Sequence, residues 1–403
     1  MREGWEITKL GAISEIFRGG SPRPIKSFIT QEADGVNWIK IGDTEVGGKY
    51  IYSTEEKIRR EGMRSSRYVE PGDFLLSNSM SFGRPYILKT DGCIHDGWLV
   101  IKKYDRTLIQ DFLYYLLLSP VVARQFEEGA RGSTVRNLNT DIVSNVVVSY
   151  PVSHIEQQRI VDILDREFAK IDALKANAEK SIQAAKDLFQ ATLKKELEPK
   201  EGWKTEKIGE VFEITDFVSN GSFASLRENV KYHDEPNYAV LVRLVDNSNG
   251  FDPNKFVYLD EHGYNFLAKS KLFGGELIMC NIGATIGTTF ICPDLGMPMS
   301  IGPNSLLIRT PDNVFFNYYL QSQSFKKKLK GIIAKTTLEK FNKTQFKELV
   351  ISFPEGQERK GIVSRLENLC AKSKSLQDNY QNTLTLCDDL KQSLLRKAFN
   401  GEL

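Results

Sequence analysis

Three loops in the first half of this 403-residue chain combine glycine with arginine and short polar side chains. They are RGGSPRP (18–24), SNSMSFGRP (77–85) and ARGSTVRN (130–137). Arginine, asparagine, serine and threonine hydrogen-bond to base edges and phosphates, and glycine lets a backbone approach a ligand closely. Solvated turns have the same composition, so for any single residue both interpretations stay open.

The second half carries similar loops at corresponding places. They are SNGSFAS (219–225), CNIGATIGTT (280–289) and AKTTLEK (334–340). Their recurrence favours a shared function, but it does not separate base contacts from phosphate contacts. The basic run KKKLK (326–330) follows a predicted helix and is more typical of a solvated helix face.

The motifs of a catalytic site are missing from this sequence. It has no Asn-Pro-Pro-Tyr tetrapeptide and no Gly-x-Gly-x-x-Gly, and GDTEVGGKY (42–50) has tyrosine where a phosphate-binding loop needs a hydroxyl residue for Mg²⁺. None of the four histidines pairs with another at metal-ligand spacing. Five scattered cysteines without a Cys-x-x-Cys pair predict reduced, mostly buried thiols. We therefore expect a chain without catalysis of its own.

The elements that must position the loops are duplicated. Four segment pairs repeat at an offset near 200: GWEITKLGAISEI (4–16) with GWKTEKIGEVFEI (202–214), WIKIGD (38–43) with LVRLVD (241–246), PGDFLLSN (71–78) with GGELIMCN (274–281), and 133–151 with 336–354. Similarity at segment edges, with divergent interiors, indicates a tandem duplication with a shared scaffold.

Each half divides into a mixed α/β part and a long helix. The region 154–198 contains neither glycine nor proline. It carries an apolar heptad seam that Lys175 interrupts. About 40 helical residues would make a rod of roughly 60 Å. The second seam, in 357–403, contains Gln377 and Lys391, so each helix alone would be marginal, and we expect the two helices to pack together with leucines 174, 188, 369, 376 and 390 flanking the seam. A pseudo-twofold relation between the two halves would make the helices antiparallel.

Bulk composition agrees with a globular protein of more than one domain. The chain is 41% hydrophobic and 10% aromatic, and its net charge of +2 means that any nucleic-acid contact must come from local arrangement. No apolar run approaches the roughly 18 residues of a membrane span, and no leader-like segment opens the chain. We expect a cytoplasmic protein without membrane contact.

The order of these features resembles the specificity subunit of type I restriction-modification systems. Gly-Trp opens each half, Pro-x-x-x-x-Glu-Gln precedes the first helix at 151–157, and Leu-x-x-Ser-Leu-Leu-x-x-Ala-Phe-x-Gly-x-Leu closes the chain at 390–403. The second half departs from this pattern with Arg359 in place of glutamine, a polar change that the start of a helix should tolerate.

The resemblance implies an α+β fold: two globular α/β target recognition domains (1–153 and 199–356), two long spacer helices (154–198 and 357–403) in an antiparallel coiled coil, and an internal pseudo-twofold repeat. It implies that each domain reads one half of an asymmetric bipartite site in double-stranded DNA. The implied partners are two adenine methyltransferase (modification) subunits and restriction/translocase subunits. S-adenosylmethionine, ATP and Mg²⁺ would bind those partners, and this chain would hold no cofactor or metal.

Under this interpretation the DNA-binding candidates are polar and basic side chains of the six loops, together with the central basic residue of WIKIGD (38–43) and that of LVRLVD (241–246). They are Arg18, Ser21, Arg23, Lys40, Asn78, Ser79, Ser81, Arg84, Arg131, Ser133, Thr134, Arg136, Asn220, Ser222, Arg243, Asn281, Thr285, Lys335, Thr336, Thr337 and Lys340.

Two other classes of protein compete with this interpretation. One is a structural coiled-coil protein with duplicated end domains, and the other is a fused restriction-methylation enzyme. The missing methyltransferase and nuclease motifs count against the enzyme, and the expected cytoplasmic character counts against an adhesive protein. Neighbouring genes for an adenine methyltransferase and an ATP-driven restriction subunit would favour the specificity subunit.

Overall fold

The computed structural model describes residues 3–45, 47–78, 82–130, 137–333 and 339–403. The chain forms two compact units. The first contains Met1–Glu179 and Tyr380–Leu403, and the second contains Lys180–Asn379. Each unit therefore combines one globular domain with a stretch of both long helices.

Twelve short strands and five helices make up the first half of the described chain. In order they are β1 (Trp5–Lys9), α1 (Leu10–Ile13), β2 (Glu15–Arg18), β3 (Ile29–Thr30), β4 (Val36–Ile39), β5 (Tyr50–Ile51), β6 (Glu56–Ile58), β7 (Arg67–Val69), β8 (Phe74–Ser77), β9 (Pro85–Leu88), β10 (Gly92–Ile94), β11 (Trp98–Lys102), α2 (Gln110–Leu118), α3 (Pro120–Gly129), α4 (Thr140–Ser144), β12 (Val147–Pro151) and α5 (His154–Leu197).

The second half repeats this plan with added short helices. Its elements are β13 (Lys204–Lys207), α6 (Ile208–Val211), β14 (Glu213–Asp216), α7 (Phe223–Asn229), β15 (Tyr232–His233), β16 (Ala239–Val242), α8 (Leu244–Ser248), β17 (Tyr258–Leu259), α9 (Glu261–Phe266), β18 (Lys271–Leu272), β19 (Leu277–Cys280), β20 (Thr289–Ile291), β21 (Met299–Ile301), β22 (Ser305–Arg309), α10 (Asn313–Gln321), α11 (Gln323–Lys330), α12 (Lys343–Lys347), β23 (Val350–Phe353) and α13 (Gly356–Phe399).

The strand orders of the two domains correspond, except that β5 of the first domain has no counterpart in the second. In the first domain they are β1-β12, β2-β11-β8-β9-β5 and β3-β6-β4-β10-β7. In the second they are β13-β23, β14-β22-β19-β20 and β15-β17-β16-β21-β18, and the parallel pair β4·β10 returns as β16·β21. The duplication that the sequence predicts is thus present in the topology.

The repeated opening segments form the same junction in both domains. In the first, β1 pairs antiparallel with β12, so that Trp5 lies opposite Pro151. In the second, β13 pairs with β23, so that Lys204 lies opposite Phe353. Each pairing joins the start of a domain to the strand that leads into a long helix. The similarity of 4–16 to 202–214 therefore reflects this shared junction.

Within each unit the two long helices run antiparallel. In the first unit the Lys175 Nζ atom lies 2.7 Å from Asp388 Oδ1, and Lys391 Nζ lies 2.5 Å from Asp172 Oδ1. In the second unit Arg365 bonds to Glu196 at 2.7 Å. Residue numbers rise on one helix as they fall on the other, which defines the antiparallel sense. The lysines that interrupt the apolar seam thus each bond to an aspartate of the opposite helix.

Four of the five flanking leucines do not add to this packing as expected, whereas Leu369 is partly buried. Leu164, Ile171 and Ala178 on the seam of α5 are buried, with 0 to 3% of their surface exposed. Leu174, Leu188, Leu376 and Leu390 are about half exposed. A pair of helices buries only a narrow stripe of each surface, and these leucines lie outside that stripe.

Candidate nucleic-acid interface

In the first domain, three predicted residues converge on the loop that joins β10 to β11. Ser21 donates a hydrogen bond to Asp96 Oδ1 at 2.7 Å, and Arg23 Nη2 lies 3.5 Å from Asp96 Oδ2. Arg18 Nε donates to the Asp96 carbonyl at 3.3 Å. The Ser21 hydrogen bond, ahead of the charges of His95 and Arg23, holds the pKa of Asp96 below its usual range. The sequence analysis did not identify Asp96.

Lys40 lies in the same groove, on the turn after β4. Its ammonium group lies 3.0 Å from Glu56 Oε1, and its backbone N–H donates to Asp43 at 2.7 Å. The groove has a volume of about 1080 Å³ and is lined by Ser21–Lys26, Trp38, Lys40–Gly42, Glu56, His95 and Asp96. We call it the first groove. Arg23, Lys26 and Lys40 line it together with Asp96 and Glu56, and Arg18 lies beside it.

His95 holds two walls of the first groove together. Its Nδ1 lies 2.8 Å from the Gly97 backbone nitrogen, and its Nε2 lies 3.2 Å from that of Ile41. Because the imidazole is largely buried and faces two N–H donors, the protonated form is disfavoured. Burial lowers the pKa of His95 below its ordinary value, against an opposing effect of the Asp96 charge. His95 thus makes structural contacts within its own domain.

Asn78 and Arg84 have different surroundings. Asn78 is buried at 2% exposure, and its Nδ2 donates to the Asp96 carbonyl at 2.7 Å. This candidate therefore holds the Asp96 loop of the first groove in place. Arg84 is exposed and lines a different cleft, between the domain and the helix pair of its unit, beside Tyr114 and Tyr115. The structure therefore does not bring Arg84 to the first groove.

The second domain has a groove beside the corresponding loops, after β14 and between β21 and β22, although the turn that carries Arg243 does not line it as the turn of Lys40 lines the first. We call it the second groove. Its volume is about 470 Å³, and its lining residues are Asp216–Val218, Phe223, Leu226, Arg227, Val230, Tyr232, Asn281, Ile282 and Pro303–Ser305. Lys343 Nζ bonds to Ser219 at 2.6 Å and lies 3.4 Å from Asp216, whose carboxylate also accepts from Ser219.

Two candidates of the second domain, Asn220 and Ser222, have structural partners. Asn220 Nδ2 donates to Ser270 Oγ at 2.9 Å, and its Oδ1 accepts from the Lys269 N–H at 2.8 Å. Ser222 caps α7 by accepting from the Ser225 N–H at 3.2 Å. Such bonds position a backbone and leave little of the side chain for a ligand.

Arg243 is held by a buried carboxylate. Its Nη2 and Nε atoms lie 2.6 Å and 3.1 Å from the Oδ1 and Oδ2 atoms of Asp246, which is 1% exposed. The hydrogen bond to Asp246 raises the pKa of Arg243 above its ordinary value. Arg243 occupies the position of Lys40, as the sequence alignment predicts, and the backbone bond of Lys40 to Asp43 recurs between Arg243 and Asp246 at 2.7 Å.

Asn281 is the counterpart of Asn78. Its N–H donates to the Asn304 carbonyl and its carbonyl accepts from Phe341, just as Asn78 bonds to Gly97 and Leu138. Its Oδ1 is buried without a hydrogen-bond partner among the described residues. Thr285 and Lys340 are both exposed, on the loop after β19 and on the segment that bridges to Ile282.

Nine predicted contact residues lie outside the part of the chain that the structure describes. They are Ser79, Ser81, Arg131, Ser133, Thr134, Arg136, Lys335, Thr336 and Thr337. Their role stays a prediction.

Several groove residues escaped the sequence analysis. Asp96, Glu56, Phe223, Arg227 and Lys343 lie on elements far apart in sequence that the fold brings together. The tryptophan-containing segment IHDGW between two apolar strands was the one available signal for Asp96, because a charged turn flanked by buried strands must lie at a sheet edge.

The two grooves thus sit on a duplicated domain of one topology, each copy leading into a long helix. This class of architecture is a tandem repeat that presents two equivalent but differently lined sites. The chain belongs to the family described as "Type I restriction modification DNA specificity domain", whose profile matches residues 2–184 and again 200–386. The resemblance, the α+β repeat fold and the antiparallel helices are therefore confirmed.

Two relatives align with all or most of the chain at low sequence identity. The EcoKI specificity subunit of Escherichia coli strain K12 is 21% identical over 100% of this chain and 89% of its own length. The EcoDI specificity subunit of Escherichia coli is 25% identical over 73% of this chain and 70% of its own. Both are specificity subunits by name, which confirms the prediction of a non-catalytic subunit.

Solved structures share the fold. The HsdS subunit from Thermoanaerobacter tengcongensis superposes with a TM-score of 0.59 at 18% identity, over 100% of this chain and 98% of that one. A chain from a study of complex assembly and conformational transition in the type I R-M system gives a TM-score of 0.79 at 18% identity, over 100% and 99%.

Among the described residues, no group of three or more His, Cys, Asp or Glu side chains is arranged to hold a metal ion. Within the same ranges, every helix is too short or too polar to cross a bilayer. Four of the five cysteines are buried, as predicted, and Cys370 is exposed.

Proposed function

We propose that this chain selects the DNA target of a type I restriction-modification complex, with each domain reading one half of an asymmetric bipartite site. The observation that carries the proposal is that each domain has a groove beside the same two loops, with a different lining. The first presents Arg18, Arg23 and Lys40 around Asp96, and the second presents Phe223 and Arg227. Equivalent position supports a common role, and different lining supports different half-sites.

The long helices supply the spacing between half-sites and a surface for partner subunits in this proposal. A rigid helix pair fixes the separation of two DNA readers, so the number of base pairs between half-sites follows from geometry. We propose that two adenine methyltransferase subunits dock on this chain and that restriction/translocase subunits join them. S-adenosylmethionine, ATP and Mg²⁺ would bind to those partners, with the target adenine flipped out of the duplex by the methyltransferase.

The experiment is to co-express the chain with its methyltransferase and to map methylated adenines across a genome of known sequence. A single bipartite motif supports the proposal. Replacing residues 1–153 with the equivalent domain of another family member should then change one half-site and leave the other intact. Methylation without a bipartite motif, or a domain exchange that changes neither half-site, would contradict the proposal.

A further inference from the structure

Phe223 is the most exposed aromatic side chain among the residues that the structure describes, at 81% exposure. It is the first residue of α7 and lines the second groove. Val218 and Tyr232, which also line this groove, are 45% and 53% exposed, and a cluster of exposed apolar side chains, unlike a single one, is typical of a contact site. No core contact of this chain therefore explains the residue.

Helix α7 holds Phe223 in a fixed place. Leu226 is buried at 4% exposure in a cluster with Val230 and Tyr264, and Ser222 caps the first turn. Asn229 Nδ2 also bonds to the Ser225 carbonyl at 2.9 Å. Because these bonds and the apolar anchor do not involve the Phe223 side chain, a substitution there should leave the helix in place.

The charge around Phe223 favours an anionic ligand. Arg227 follows Phe223 by four residues, which puts both side chains on one face of α7, and both line the second groove. Within the described ranges, Arg227 has no ion pair or side-chain hydrogen bond, while Asp216 is neutralised by Lys343. Among its described lining residues, the groove thus offers one unpaired cation, Arg227, beside two exposed aromatic rings, Phe223 and Tyr232.

We infer that Phe223 contacts the C5-methyl group of a thymine in the half-site that the second domain reads. This inference rests on the proposed function. In the major groove, the thymine methyl is the apolar group on a base edge, and apolar side chains recognise it there. Arg227 would bind an adjacent phosphate. Among the described residues that line the first groove, the aromatic Trp38 is buried at 3%, and the exposed or half-buried apolar side chains are Pro24, Ile25 and Ile41, so we assign the aromatic contact to the second half-site.

The test removes one methyl group at a time from the DNA. Once the motif is mapped, duplexes carry deoxyuridine in place of each thymidine of the second half-site in turn, and binding of the complete methyltransferase complex is measured. We expect one position at which the loss of the methyl group weakens wild-type binding about fourfold. In a Phe223→Ala complex the same replacement should have no further effect, and Phe223→Leu should retain part of it.

Phe273→Ala is the matched control, because Phe273 is also exposed, at 69%, and does not line the second groove. Its complex should keep the wild-type response to deoxyuridine. Two results would overturn the inference: no thymidine position matters for the wild type, or the same position matters equally in Phe223→Ala. A failure of this kind with an intact bipartite motif leaves the proposed function standing, whereas the absence of any motif defeats both.

Discussion

The side chain of Gln157 accepts a hydrogen bond from the Ile109 N–H through Oε1 at 2.9 Å, and so fastens the start of α5 to the start of α2. Its Nε2 donates to the carbonyls of Thr107 and Pro151, each at 2.9 Å. The side chain is fully buried. One glutamine therefore satisfies three backbone groups at the junction of domain and helix.

Gln157→Ala should destabilise the first unit by about 2 kcal/mol or more, since it leaves buried backbone groups without partners. Thermal unfolding of the complete chain measures the effect. Gln158→Ala is the control, because Gln158 is exposed and bonds only to Asp162 on the same helix, and it should change stability by less than about 0.5 kcal/mol. Equal effects of the two substitutions would show that the junction does not depend on Gln157.

Arg243→Ala should destabilise the second domain by about 3 kcal/mol, because it leaves the buried carboxylate of Asp246 without its cation. Lys40→Ala, at the equivalent position of the first domain, breaks a half-exposed pair with Glu56 and should cost less than about 1 kcal/mol. The free energy of unfolding of both variants, measured by chemical denaturation, checks this difference. A milder effect of Arg243→Ala than of Lys40→Ala would contradict the assignment of Arg243 to a structural bond.

Acid should weaken the first domain through His95. Its pKa in the folded chain is lowered, so the unfolded chain binds the proton more readily. The stability that the neutral ring contributes is therefore complete above about pH 6.5, the unfolded value, and is lost as the pH falls toward the lower folded pKa. The free energy of unfolding and the affinity for the first half-site should both decline as the pH falls across this window.

His95→Ala should remove that pH dependence, and His262→Ala should preserve it, because His262 is exposed and lies in the second domain. Binding to duplexes altered in one half-site at a time, between pH 7.5 and pH 5.5, separates the domains. An equal decline for both half-sites would argue against His95 as the cause.

Arg23 should contact a phosphate, since its side chain is 82% exposed at the edge of the first groove. Arg23→Ala should then weaken binding to all sequences and reduce the slope of log affinity against log salt by about one unit. Lys103→Ala is the control, because Lys103 is also exposed but lies beyond the opposite end of β11 from the Asp96 loop. A changed methylation motif in Arg23→Ala would instead indicate base reading.

Sequence analysis predicted the duplication, the class of fold and the helix seam because each leaves a periodic or repeated pattern along the chain. The alignment of Lys40 with Arg243 and of Asn78 with Asn281 holds in the topology and in the backbone bonds. At Arg359, sequence suggested only a tolerated change. In the structure Arg359 Nε lies 3.4 Å from Oδ2 of Asp312, the residue that caps α10, and is buried without a hydrogen bond among the described residues, so the arginine has an ion-pair partner that the sequence did not indicate.

Tertiary structure alone decided which polar residues face a groove. Composition gave Asn220, Arg243 and Phe223 no distinguishing mark, yet the first two bond to their own domain and the third is exposed. The reason is physical: periodicity records which face of an element is buried, whereas a groove forms where loops distant in sequence meet. Local sequence encodes the scaffold of this protein, and the packing of its strands determines what the grooves present.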